Sequence, residues 1–286
     1  MNKTKFQTEV DRDEALFLIR TARLAIQSWK CHIIRSANQD QARIDALELL
    51  NNETVLIVND WAMKFLPRKY RESQADWFGK RGISWHISVV YRRLNGELQW
   101  QGYIHIIQSC TQGSSAVVAI VQDVLKTIKI EYPEIMTAYF KQDNAACYHS
   151  CETIIACPIL SQSTGINVVR IDFSDPQGGK GAADRLAATC KGHVRTYINE
   201  GNDVTTAEQL KDAILSYGGI EGVRVTATDS VNETGLFETT PKIKGISKLN
   251  NFSFTSEGIR AWRAYGIGSG KVFTLKETTI GKIPLF

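Results

Sequence analysis

Two apolar, β-branched runs that each end on an acid constrain this chain more than any other feature. Thr54-Val-Leu-Ile-Val58 leads into Asn59-Asp60, and the run from Glu134 to Gln142 leads into Asp143. Continuous apolar runs of this length belong to strands buried on both faces. In an open α/β sheet, ligands collect outside the carboxyl ends of the strands, so acids placed there face a shared crevice. Buried like charges repel, and their proximity requires either a raised pKa or a bound cation. Hard divalent ions favour such oxygen donors. Taken singly, each aspartate is an ordinary strand-ending turn residue; the pair on neighbouring strands asks for more.

The surrounding segments set the strand order. Asp11 to Ala37 and Asp40 to Leu50 read as amphipathic helices, with Leu18, Ala22, Ala25 and Trp29 at helical spacing. Ile83 to Arg92 and Leu98 to Ser109 read as two strands joined at Asn95-Gly96, a strong hairpin signal. Ser114 to Tyr132 is a helix stopped by Pro133. After Asp143 come helical residues to about Leu160, a strand from Ile166 to Phe173, and a Gly-rich turn. Helices from about Ala182 to Glu200 and from Thr205 to Tyr217 complete the pattern. This order predicts an α/β fold with a mixed five-stranded sheet and flanking helices, the ribonuclease-H-like arrangement. The expected organisation is an N-terminal helical segment (1–52), a catalytic domain (53–218) and an irregular, basic C-terminal extension (219–286), where periodicity fades.

A third carboxylate is expected to complete the site. Asp184, early in the helix after the last strand, is preferred; Asp175 is second and Asp172 also competes. A pair of divalent ions held this way, Mg²⁺ or Mn²⁺, can activate a nucleophile and stabilise the leaving oxygen of a phosphodiester. The stretches Val55-Leu-Ile-Val-Asn-Asp60, Phe140-Lys-Gln-Asp143-Asn-Ala-Ala-Cys-Tyr-His149 and Gly178-Gly-Lys-Gly-Ala-Ala-Asp184 together resemble the DDE/DDD transposase superfamily over residues 54 to 217. The resemblance implies Mg²⁺-dependent cleavage and strand transfer on DNA, with Asp60, Asp143 and Asp184 as first, second and third acids. The sequence departs from that pattern in its proposed third acid, Asp rather than Glu, and in showing no terminal zinc finger or helix-turn-helix. His149 beside Asp143 is read as orienting a phosphate or water, against an ordinary helix histidine. The Cys147, His149 and Cys151 group is a weak zinc signal, because alternate helical positions face apart.

Charge distribution bears on the partner. The formal net charge is only +4, but Lys64 to Arg93 carries eight basic residues against Glu72 and Asp76, and Lys242 to the end carries eight against Glu257 and Glu277. Two basic segments therefore flank an acidic remainder, as expected where phosphates are gripped beside a cation-binding carboxylate site. Lys64, Arg68, Lys69, Lys80, Arg81 and Lys180 are the expected DNA contacts. Trp61, Trp77, Phe78 and Trp85 lie in the first basic stretch and divide between base stacking and core packing. Six cysteines without zinc-finger spacing, no signal peptide and no membrane-length apolar run predict a soluble intracellular or nuclear protein. Self-association as a homo-oligomer is a further expectation. Two rivals stand beside the transposase reading: a domesticated, catalytically silent DNA-binding or scaffolding protein, and a nuclease acting on RNA or hybrids.

Overall fold

A computed structural model describes residues 6–174, 181–231, 237 and 242–274. The chain begins with one long helix, α1 (Glu9–Glu48), capped by Thr8, whose hydroxyl accepts from the Asp11 N–H. The two N-terminal helices expected from the sequence are thus one, since neither Gly nor Pro interrupts residues 37–40. Then follow β1 (Thr54–Phe65), the one-turn α2 (Gln74–Trp77), the hairpin β2 (Ile83–Leu94) and β3 (Glu97–Ser109), α3 (Ser114–Glu131) and β4 (Thr137–Gln142). Next come α4 (Cys151–Thr164), β5 (Asn167–Phe173), α5 (Ala182–Asn199) and α6 (Ala207–Leu215). The chain closes with β6 (Val223–Ser230), β7 (Asn251–Thr255), β8 (Gly258–Trp262) and β9 (Lys271–Phe273).

The sheet runs β6-β3-β2-β1-β4-β5-β7-β8-β9. Its middle five strands follow the expected order, with β2 antiparallel to β1 and β3, and β4 and β5 parallel to β1. The sheet has nine described strands, however, and not five. The segment expected to be an irregular tail supplies β6 at one edge, parallel to β3, and β7 to β9 at the other. These strands are only three to eight residues long and alternate single apolar residues, such as Phe252 and Phe254, with polar ones, a period too brief to stand out beside the continuous runs of β1 and β4. The β7–β8 hairpin depends on Gly258, at φ +127°, where a Cβ would lie 2.4 Å from the Phe273 carbonyl oxygen.

Helices cover both faces. On one, α3 and α4 bury Val55, Ile57, Phe140 and Ile171 together with Phe252 and Ile259 from the added strands. On the other, α5 and α6 bury Ile87, Val89, Ile104 and Ile106. The C-terminal turns of α1 lie beside them, with Ala46 and Leu50 against Leu56. Residue parity along β1 therefore decides which side chains share a face. Val55, Ile57, Asn59 and Trp61 face α3 and α4, whereas Leu56, Val58 and Asp60 face α1 and α5.

Candidate functional site

Asp60 lies within β1, paired with Ile87 of β2. It lines a cleft of about 310 Å³ whose other wall is the first three turns of α5, including Asp184, Arg185 and Lys191. Asp143 lies just past the end of β4, next to β1. Its turn is held by the Ala145 N–H donating to Oδ1 (2.9 Å), and Asn144 donates to the Ser174 carbonyl (2.9 Å), tying the ends of β4 and β5 together. Asp184 is the third residue of α5, and its Oδ2 accepts from the Gly181 N–H at 2.9 Å. That bond alone is an ordinary helix cap, favoured by the positive end of the helix dipole.

Electrostatics connect the three. Asp60 is pushed up to about 7, first by burial, then by the negative charges of Asp143 and Asp184; the Trp61 backbone N–H opposes the rise. Asp143 and Asp184 are exposed, so Asp60 is the acid that cannot shed its charge into water. Buried Tyr148, behind the Asp143 turn, also feels Asp60 and Asp143, and burial holds its hydroxyl neutral. The three acids form an open neighbourhood and not a closed cage: among the described residues, no three His, Cys, Asp or Glu side chains already have the spacing to hold a metal. The donor set is nonetheless all oxygen, and the repulsion at Asp60 is what a cation would relieve, so the residues present fit a hard divalent ion.

The remaining sequence-nominated residues scatter. His149 lies in the turn before α4; its Nε2–H donates to the Leu249 carbonyl (2.8 Å) and its ring packs 4.4 Å from Phe173, with burial lowering its pKa. It thereby anchors the segment entering β7. Cys151 Sγ accepts from the Ile243 N–H. Both Asp172 oxygens are occupied, one by Arg170 Nε (2.8 Å) and one by Asn251 Nδ2 (2.7 Å), which removes it from the competition for third acid. Asp175 and Lys180 lie outside the described residues. Lys69 pairs with Asp76 at 2.7 Å, and Lys80 pairs with Glu72 while sitting over the Trp77 ring. Lys64 reaches the Cys110 carbonyl (3.3 Å), and Arg68 joins a backbone bridge to Val204. Arg68 and Arg81 are exposed. The aromatics divide: Trp85 is in the core under α5 and α6, Trp61 packs partly buried on the core of the opposite face, and Trp77 and Phe78 are exposed.

Sequence reasoning missed Arg185 and Lys191. Both share the cleft with Asp184, and Lys191 follows it by seven residues, two turns along one helix face, which is the signal that was there to read. Lys141 was also missed. It joins Arg43 and Arg185 in a second groove of about 560 Å³ between α1, the sheet and the start of α5. Arg185 lines both depressions.

Fold and site together define a mixed α/β protein in which Asp60, inside β1, feels the charges of Asp143, just past β4, and Asp184, at the start of α5. The chain belongs to the family described as Domain of unknown function (DUF8701), which matches residues 39–265. No curated protein matches it. Among solved structures it is similar to the human cytomegalovirus terminase nuclease domain, Mn soaked, at 10% identity and a TM-score of 0.26, over 62% of this chain and 65% of that one. It is also similar to the Mos1 transposase paired-end complex with left transposon end, at 14% identity and a TM-score of 0.29, over 62% and 51%. The chain thus spans just under two thirds of the former and about half of the latter. Superpositions this loose carry no functional weight, and the reading below rests on the aspartates.

Proposed function

We propose that this protein is a divalent-metal-dependent enzyme of the DDE/DDD transposase kind, cleaving and joining DNA phosphodiesters at Asp60, Asp143 and Asp184. The single observation behind it is the placement of Asp60, half-buried in a cleft it shares with Asp184 and near enough to Asp143 for both acids to raise its pKa. Uncompensated repulsion of this kind is a cost to the fold unless the site has a use for it.

The three carboxylates would hold Mg²⁺ or Mn²⁺, which when bound supplies Lewis-acid stabilisation of the charge that develops on the phosphodiester oxygens. Asp60 is the acid through which pH acts. Near pH 7 it is divided between protonated and ionised forms, so cation binding there competes with a proton. Arg185 and Lys191, on the exposed side of α5, offer positive charge to phosphates entering the cleft, and Arg185 continues that charge towards Arg43 and Lys141 in the adjoining groove. Arg68 and Arg81 extend it on the surface, while Lys69 and Lys80 have much of their charge met by Asp76 and Glu72. Exposed Trp77 and Phe78 offer stacking faces for unpaired bases.

One observation favours the catalytically silent DNA-binding reading instead: the described residues contain no ready-closed metal cage. Incubating the protein with labelled duplex DNA, RNA–DNA hybrid and RNA, with and without Mg²⁺ or Mn²⁺, decides between them. The proposal expects metal-dependent cleavage of duplex DNA that falls to the metal-free level in Asp60→Asn. Binding without cleavage gives the silent reading, and cleavage confined to hybrid or RNA gives the ribonuclease reading.

A further inference from the structure

The N-terminal three quarters of α1 leave the body of the protein. Within α1 only Gln39, Ala42 and Ala46 are buried, yet the helix carries Ile19, Ile26 and Trp29 at 63, 54 and 62% exposure, with Val10, Phe17, Leu24 and Ile33 also exposed. The family match begins at residue 39, where α1 first becomes buried, so the projecting part is an appendage to the shared fold. At 1.5 Å per residue, Glu9 to Asn38 extends about 45 Å.

Part of this apolar surface forms a seam, while Val10, Phe17, Leu18, Leu24 and Ile34 lie off it. Ile19, Ile26 and Ile33 recur every seven residues, and Ala15, Ala22 and Trp29 fill the positions between them, giving the alternating three-and-four spacing of a coiled-coil seam. Charge along the same helix is polarised. Glu9, Asp11, Asp13 and Glu14 surround a single Arg12 at its start, and Arg20, Arg23 and Lys30 follow with no acid among them. A second copy laid parallel would stack acid on acid and base on base. Laid antiparallel over residues 9–38, it brings the acidic start of each helix beside Arg35 and Lys30 of the other, and small Ala15 and Ala22 across from Ile33 and Ile26.

We infer that residues 9–38 of α1 pair two copies of this chain as an antiparallel coiled coil. The seam supplies the apolar burial and the polarised charge selects the orientation. The inference does not depend on the proposed catalytic site.

Light scattering coupled to size exclusion on the full chain, from about 1 to 100 µM at low ionic strength where charge is least screened, tests it. The wild type is expected to run as a multiple of the 32.0 kDa chain mass. Ile26→Glu with Ile33→Glu is expected to run as a monomer that still unfolds in a cooperative transition, because both side chains are exposed in the single chain. Asp11→Lys, Asp13→Lys and Glu14→Lys together should weaken association at least tenfold, since only an antiparallel pair sets these acids near basic residues. A monomeric wild type, an Ile variant of undiminished mass, or a triple-lysine variant that associates as well as the wild type each overturns the inference.

Discussion

Asp60 carries a titration that can be read without substrate. An unfolded aspartate gives up its proton near 3.8, whereas the folded Asp60 keeps it to about 7. Between those values the folded state binds more protons, so this group's contribution to stability falls as pH rises from about 4 to 7. In chelator-treated protein the melting temperature is therefore expected to drop from pH 5 to pH 8 by more in the wild type than in Asp60→Asn, which cannot ionise. Adding Mn²⁺ at pH 8 should reverse the order. A ligand at a hundredfold excess over its Kd adds about 2.7 kcal/mol, roughly 5 °C or more for a chain of this size, and Asn at position 60 should forfeit most of it. Differential scanning fluorimetry of the two proteins with and without metal reads both effects.

Among the elements, the least legible in the sequence is the one that widens the sheet. The central order could be read because Val55 to Val58, Asn95-Gly96 and the stripe of α3 are strong local signals of buried strand, hairpin and helix. The β7–β8 hairpin carries only a faint one, five-residue strands in which Phe252 and Phe254, then Ile259 and Ala261, alternate with polar residues or Trp262. It is held to β5 by long-range polar contacts, Asn251 on Asp172 and Ser253 on the Val169 carbonyl, that only the folded chain brings together. Asp172 is almost fully buried, and Arg170→Ala would leave its carboxylate without the guanidinium, at a cost of about 3–5 kcal/mol. Urea unfolding should show that loss, and an unchanged midpoint would mean that Asp172 does not need the guanidinium to stay buried in β5. Gly258→Ala should also destabilise the chain, because its backbone lies in the left-handed half of conformational space and the added Cβ meets the Phe273 carbonyl. Asp60 and Asp143 could be nominated because each follows an unmistakable apolar run, although β1 does not end at Asp60 as expected but continues to Phe65. Arg185, Lys191 and Lys141 were not, because their relevance comes from the packing of α5 and α1 on one face of the sheet.

For the molecule as a whole, net charge says little and its placement says more. Two of the basic residues nominated from the sequence, Lys69 and Lys80, are engaged by neighbouring acids, and the cations that line the depressions beside Asp60 come from α5, α1 and β4 instead. Fluorescence anisotropy with duplex DNA should show affinity falling steeply with salt. Arg185→Ala and Lys191→Ala are each expected to lower it for all sequences alike and to reduce the slope of log K against log salt by about 1. Lys69→Ala should change it far less. Equal effects from all three would point to diffuse attraction without a track through the cleft.

The central claim, that Asp60, Asp143 and Asp184 act together on one cation site, is tested most directly by calorimetric titration of Mn²⁺ into the wild type and the three single Asn variants at pH 8. The wild type should bind at one saturable locus, with proton release that grows as the pH is brought down towards 7. Each variant should bind at least tenfold more weakly. Wild-type protein that takes up no Mn²⁺, or three variants that bind it as the wild type does, would contradict the claim.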